Sequence, residues 1–109
     1  MIPAGKMRFQ VTIERPSEAR DSYGRSVDEW EFVCKSWAAI VPLSGTEAED
    51  ARQYVATATT MIKLRYRRKF KLTTKHRIVF RGRGYQIGYI KNIDELNTTV
   101  EVLCSEVRL

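Results

Sequence analysis

Cysteine and histidine, the usual zinc ligands and frequent catalytic residues, occur three times in this sequence, at Cys34, His76 and Cys104. A catalytic histidine needs an acid or a nucleophile beside it, yet no Asp or Glu lies within seventeen residues of His76 along the chain. The two cysteines lie far apart among apolar neighbours, which is typical of reduced thiols packed as small hydrophobic side chains. One histidine and two scattered cysteines are too few for a zinc site. We therefore predict a protein without catalytic activity, bound metal or cofactor.

The densest charged stretch is RYRRKFK, residues 65–71, in which five of seven residues are cations. Cations interleaved with aromatic residues are typical of small β-barrels that bind single-stranded nucleic acid. The solvent-facing side of a half-buried strand gives the same pattern, because basic and apolar residues alternate over residues 62–67. On this second interpretation Tyr66 and Tyr85 face the core, where they cannot stack on bases. The candidate basic surface consists of Lys63, Arg65, Arg67, Arg68, Lys69 and Lys71.

Charge is distributed unevenly along the 109 residues, whose net charge is +6. Residues 1–50 contain six basic and nine acidic side chains, whereas residues 51–93 contain twelve basic and no acidic ones. Residues 94–109 contain one basic and four acidic side chains. The middle part of the chain therefore predicts a positive surface that attracts polyanions or acidic protein faces.

The composition indicates a single domain over residues 1–109. A hydrophobic fraction of 43% at this length is enough for one core without metals or disulfides. No segment approaches the roughly 18 consecutive apolar residues of a membrane span, and the N-terminus does not resemble a secretion signal. We expect no membrane association, and the cytoplasm as the default compartment.

Alternation of apolar and polar residues is the commonest pattern, beginning with KMRFQVTIE at residues 6–14. A period of two predicts half-buried β-strands, and RGRG at residues 81–84 predicts a tight hairpin turn. The same alternation recurs over residues 30–43, 59–67, 77–80, 85–90 and 99–107. We predict a mostly β fold, a small antiparallel β-barrel or sandwich of about six strands.

Residues 30–43 contain an apparent change of parity, which predicts a β-bulge near Lys35 and Ser36. Before this change the core side is predicted to hold Trp30, Phe32 and Cys34. After it the core side is predicted to hold Trp37, Ala39, Val41 and Leu43. In a later strand, Tyr85, Ile87 and Tyr89 are predicted to share one side.

The strand pattern lapses over SGTEAEDARQYVA, residues 44–56. Ser44 and Glu47 have the spacing of a capping box. The acidic residues near the start of this segment would interact favourably with the positive end of a helix dipole. Three apolar residues, Ala48, Ala51 and Val55, fall on one helical face. A short helix is predicted, and a mobile loop over residues 44–58 is the alternative.

The order of these segments along the chain is itself a pattern. GKMRFQVTIERP is followed by DSYGRSVDEW, SWAAIVPLSGTEAEDA, TTMIKLRYR, HRIVFRGRGYQI and LCSEV. This series resembles the small head–tail joining proteins of tailed bacteriophages, also called head-closure, stopper or head–tail adaptor proteins. The resemblance covers nearly the whole chain, and the very basic RRKFK departs from the milder turn of many relatives.

The resemblance implies a non-enzymatic β-barrel of the virion that forms a ring beneath the portal, closes the DNA exit and offers a docking surface to the tail. The implied partners are further copies of this chain, portal or adaptor ring proteins and tail proteins, with non-specific contact to packaged DNA. The segment implied to project toward the channel or a neighbouring ring is residues 44–58. Its candidate contact residues are Ser44, Gly45, Thr46, Glu47, Glu49, Asp50 and Arg52.

We expect the acids of this segment to meet the basic surface of a neighbouring subunit, which would set register and specificity. The alternative function is that of a free-standing β-barrel that binds nucleic acid through residues 63–83.

Overall fold

A computed structural model of the chain describes residues 8–17, 22–24, 29–65, 69, 71–92, 95–96 and 98–108. These residues form six strands and one helix. The elements are β1 (Phe9–Pro16), β2 (Trp30–Pro42), α1 (Gly45–Arg52), β3 (Thr60–Arg65), β4 (Arg77–Phe80), β5 (Arg83–Asn92) and β6 (Thr99–Arg108). The predicted mostly β fold with one short helix is confirmed.

The six strands close into a barrel in the order β1-β2-β3-β6-β5-β4, with every neighbouring pair antiparallel. Of the two predicted architectures, the barrel is therefore the one observed. Closure pairs β1 with both β2 and β4, and β6 with both β3 and β5. The first and last strands consequently have neighbours on both sides.

The interior of the barrel is filled by alternate residues of the strands, as a period of two requires. In β3, Ile62 and Leu64 are 0% and 2% exposed, whereas Lys63 between them is only half-buried. The core cluster consists of Val11, Ile13, Ala38, Ile62, Leu64, Ile78, Tyr85, Ile87, Val100, Val102 and Cys104. The prediction for Tyr66 falls outside the described residues.

A two-residue turn joins β4 to β5, since Phe80 pairs with Arg83. The two turn residues, Arg81 and Gly82, have φ angles of 50° and 77°. Two positive φ angles are the signature of a type I′ turn, whose twist matches that of the flanking strands. The predicted hairpin is thus confirmed, and Gly84 lies in β5 opposite Val79.

The predicted parity change in β2 is wrong in its position. Ile13 pairs with Cys34 and Glu14 with Phe32, so the bulged residue is Val33. Downstream of this bulge, Ser36, Ala38 and Ala39 are buried, at 4%, 0% and 6% exposure, and Ala38 belongs to the core cluster. Both faces of β2 carry apolar side chains, so alternation alone could not identify the inner face.

The aromatic residues assigned to the core side of β2 lie on the outer surface of the barrel instead. Trp30, Phe32 and Trp37 are 36%, 62% and 53% exposed. They pair across β1 with Pro16, Glu14 and Gln10, outside the buried positions of that strand. We call these three side chains the aromatic row.

A second bulge lies in β5 at Gly88, because Ile87 pairs with Cys104 and Tyr89 with Leu103. Tyr85 and Ile87 are both 2% exposed, as predicted. Tyr89 is 38% exposed, so its predicted place on the same side was wrong. The extra residue inverts the alternation, and Ile90 rather than Tyr89 packs against the core.

Candidate functional site

The segment between β2 and β3 leaves the barrel through a turn at Gly45. Its φ of 55° lies in the left-handed region that glycine adopts without strain. Beside this turn the Leu43 N–H donates to the Thr59 carbonyl at 3.0 Å. The two ends of residues 43–59 therefore meet, and the intervening residues form a closed excursion from the sheet.

Helix α1 confirms the short helix predicted for this segment. The predicted capping-box bond is absent, since the Ser44 side chain makes no cap hydrogen bond. Instead the Ser44 carbonyl accepts the Ala48 N–H at 3.3 Å. Glu47 in the first turn and Arg52 in the last turn both interact favourably with the helix dipole.

Four hydrogen bonds hold the chain after α1 against β6. The Thr59 N–H donates to the Cys104 carbonyl at 2.9 Å, and the Glu106 N–H donates to Thr59 Oγ1 at 3.0 Å. Ser105 Oγ donates to the Thr57 carbonyl at 2.9 Å and lies 2.7 Å from Thr57 Oγ1. Backbone and side-chain bonds together give this segment a defined position on the barrel.

Apolar contacts fix the other side of the segment. Ala48 and Ala51 of α1 are 5% and 6% exposed. Val55 packs against Gly88 so closely that a Cβ there would lie 2.8 Å from both Val55 methyl carbons. The rings of Tyr54 and Tyr89 lie 5.1 Å apart, within the range of favourable aromatic pairs. The bulge at Gly88 therefore provides the space into which this segment fits.

A groove of about 490 Å³ runs between α1 and the outer face of β3, β6 and β5. Its lining residues are Leu43, Glu47, Asp50, Ala51, Tyr54, Met61, Tyr89, Lys91, Glu101 and Leu103. Three of these are acids and one is a lysine, so the lining combines aliphatic and aromatic surface with net negative charge. We call this concavity the α1 groove.

The predicted contact residues of the α1 segment are all exposed: Ser44, Gly45, Thr46, Glu47, Glu49, Asp50 and Arg52. Only Glu47 and Asp50 of this set line the α1 groove. Arg52 folds back, and its Nε donates to the Ala58 carbonyl at 3.4 Å. Of the predicted set, Glu47 and Asp50 therefore line the groove, Arg52 stabilises the segment itself, and the other residues are exposed elsewhere.

The residues of the predicted basic surface differ in exposure and pairing. Lys63 Nζ lies 3.5 Å from a carboxylate oxygen of Glu101, and both side chains are largely covered. Arg65, Lys69 and Lys71 are exposed, which leaves their charges accessible. Two further members, Arg67 and Arg68, lie outside the described residues.

The aromatic row is a feature that sequence reasoning missed. The Arg77 guanidinium lies 4.2 Å from the Trp30 ring centroid, and its Nε donates to Glu14 at 2.7 Å. Trp30 is therefore held by a cation–π contact that is itself fixed by an ion pair. Because Ser36 faces the interior, a period of two places its neighbour Trp37 on the outer face.

The side chains considered for covalent or metal chemistry are packed into the fold. Burial raises the pKa of the Cys104 thiol to about 12, which keeps it protonated. Burial lowers the pKa of His76, and its Nδ1 accepts a hydrogen bond from the Thr73 N–H at 3.1 Å. Among the residues that the structure describes, no group of three or more His, Cys, Asp or Glu side chains is arranged to hold a metal ion.

In the part of the chain that the structure describes, no helix has the length and apolar character needed to cross a bilayer.

Comparison with known proteins identifies a protein family that matches this chain. A family model described as phage head completion protein matches residues 2–107. The solution structure of protein SF1141 from Shigella flexneri 2a is 27% identical, with a TM-score of 0.76 over 96% of both chains. A chain in the virion of a native gene transfer agent particle shares the fold, with 14% identity and a TM-score of 0.62. That alignment covers 92% of this chain and 94% of the other. No curated protein sequence matches the chain.

Proposed function

Because the chain belongs to the phage head completion protein family, whose role is structural and whose place is the virion, we propose that it forms a ring in the head–tail connector. In this proposal the ring binds beneath the portal or adaptor after DNA packaging, closes the exit channel and presents the surface on which the tail docks. Its partners are further copies of the chain, the portal or adaptor proteins and the tail proteins. Before assembly it resides in the host cytoplasm.

This proposal rests mainly on the position of the α1 segment, residues 43–59, which lies outside the closed barrel and is held there by hydrogen bonds and apolar packing. Thr57 and Thr59 tie its end to β6, and Val55 packs on β5. Its exposed acids, Glu47 and Asp50 among them, are therefore presented by a rigid support. A rigid projecting element with net negative charge suits contact with a channel or a neighbouring subunit, because little ordering entropy is lost on assembly.

We assign a second contact to the exposed cations near the end of β3. Arg65 is the last residue of that strand, and Lys69 and Lys71 follow in the connection to β4. Positive side chains at the end of a barrel suit an acidic face of the portal or adaptor ring. They would also make non-specific contacts with packaged DNA.

A free-standing nucleic-acid-binding barrel is the competing function, and two observations weaken it. Tyr85 is 2% exposed, so it offers no stacking platform, and Lys63 is already paired with Glu101. Fluorescence anisotropy with a labelled oligonucleotide, at two salt concentrations, tests this function directly. Tight binding that weakens steeply with salt would favour it over the connector.

The proposed function is tested with DNA-filled heads that lack this protein. Such heads are mixed with the purified chain, and three properties are followed: protection of the packaged DNA from nuclease, attachment of tails, and a ring beneath the portal in electron micrographs. We expect the protein to confer all three. Heads that remain nuclease-sensitive and tailless, with no added density at the portal, would refute the proposal.

A further inference from the structure

The aromatic row has the character of a protein contact surface. Phe32 and Trp37 are more than half exposed, at 62% and 53%. Large aromatic side chains dominate binding energy at protein interfaces, and they are rarely left exposed together without a role. Trp30 is held in place by Arg77 and Glu14, so this end of the row is ordered before any partner binds.

The surroundings of the row are basic at its Trp37 end. Lys35 is exposed on β2 between Phe32 and Trp37, opposite Thr12. Arg8 is exposed next to the start of β1. At the other end, the exposed acids Glu29 and Glu31 flank Trp30, where Glu31 pairs with Arg15 at 3.1 Å and Glu14 pairs with Arg77 at 2.7 Å. A partner surface that fits the Trp37 end of the row is therefore apolar with an acidic border.

The α1 groove has those properties. Its lining includes Leu43, Met61 and Leu103, and the exposed acids Glu47 and Asp50 belong to α1 at its border. At about 490 Å³ its volume lies within the range of pockets that enclose drug-sized ligands, roughly 300–1,000 Å³. It therefore has room for an aromatic side chain.

The row and the groove lie on opposite sides of the barrel. In the closed order β1-β2-β3-β6-β5-β4, strand β1 is three positions from β6 in either direction, and β2 is three positions from β5. The row lies on the outer face of β2, where that strand pairs with β1, whereas β5 and β6 form much of the groove floor. One molecule cannot bring these two surfaces together.

We propose that the aromatic row of one copy docks into the α1 groove of the next copy. Two different, complementary patches on opposite sides of a subunit make a head-to-tail contact, which produces a closed ring when the rotation between copies closes. This inference rests on the proposed ring and names the surfaces that join its subunits.

The same geometry argues against β3 as the cationic partner of the groove acids. Lys63 pairs with Glu101, a groove residue of its own copy. The basic face of β3 therefore borders the groove rather than lying opposite it. In a head-to-tail contact, Lys35 and Arg8 are the cations that approach Glu47 and Asp50 of the neighbour.

Photo-crosslinking tests this arrangement. The chain is made with p-benzoylphenylalanine in place of Trp37 and irradiated both alone at high concentration and after loading onto heads that lack the protein. We expect copy-to-copy crosslinks that map by mass spectrometry to residues 43–61 or 89–103. Crosslinks in neither setting, or crosslinks confined to a neighbour's β1 and β2, would overturn the proposal.

Charge reversal provides the matched comparison. In a mixture with the photoreactive chain, the groove variant E47K/D50K should be captured at least about fivefold less than the unmodified chain. The control E95K/E106K reverses two exposed acids that do not line the groove and should be captured within about twofold of it. Equal capture of the two variants would also refute the interface.

The two proposals fail separately. Heads that load the protein but give no crosslink into the groove leave the connector function standing and remove this interface. Crosslinks into the groove for the free protein, together with heads that load nothing, support the interface and remove the connector function.

Discussion

Replacing Gly88 with alanine tests the contact that seats the α1 segment on the barrel. The new Cβ would lie 2.8 Å from both methyl carbons of Val55, whereas carbon atoms prefer a separation of about 3.5–4.0 Å. The valine side chain cannot easily turn away, because two branches at Cβ restrict its χ1 angle. The methyl group therefore has to displace either Val55 or the bulge.

The expected cost follows from two opposing effects. Overpacking a tight contact costs about 1–3 kcal/mol. The φ of Gly88 is outside the left-handed region, so alanine also restricts the unfolded chain, which offsets about 0.4–1 kcal/mol of that cost. We expect G88A to lower the free energy of unfolding by about 1–2 kcal/mol.

The background variant V55A makes the prediction sharp. Without the two methyl carbons the nearest Val55 atom is its Cβ, at an ordinary 3.4 Å from the new methyl group. In V55A, the added G88A change should therefore be neutral or stabilise by up to about 1 kcal/mol. Urea unfolding of the four proteins, followed by circular dichroism, gives the coupling between the two sites. An equal loss of stability in both backgrounds would show that Gly88 and Val55 do not meet.

Three further outcomes follow from the structure. Cys104 should react with a thiol reagent at about pH 8 only as fast as the chain unfolds, because burial raises its pKa to about 12. The half-buried Cys34 should react faster, and equal reaction rates of the two thiols would contradict this prediction. Because burial lowers the pKa of His76, the unfolded chain takes up this proton first, so stability should fall as the pH drops through about 6.5, the pKa of an unfolded histidine. That fall should be shallower in H76Q, and identical slopes in urea unfolding would exclude the effect. R65E should reduce loading onto portal complexes several-fold, whereas the exposed control R108E should not; co-sedimentation with the complexes distinguishes them.

Much of the barrel was readable in the sequence, because alternation is a local property. Ile62 and Leu64 were placed in the core, and both are buried. The turn at Arg81 and Gly82 followed from its glycine. The helix followed from the lapse of alternation and the spacing of Ala48 and Ala51, both of which are buried.

The positions of the two bulges were decided by strand pairing. Val33 is an extra residue only relative to Ile13 and Glu14 of β1, and Gly88 only relative to β6. A pattern within one strand contains no information about its neighbour's register. When apolar residues occupy both faces, as in β2, the inner face is the one that the closed barrel covers.

The sequence by itself determined that this chain folds into strands with a helical excursion after β2, because the period of its apolar residues is a local signal. The tertiary structure alone decided that Trp37 and Tyr89 face outward and that Glu47 and Glu101 line one groove. These two acids are far apart in the chain and line the same groove only because α1 folds back toward the outer face of β6. The physical reason is that barrel closure and two bulges determine which face of each strand remains exposed, and therefore which side chains share a surface.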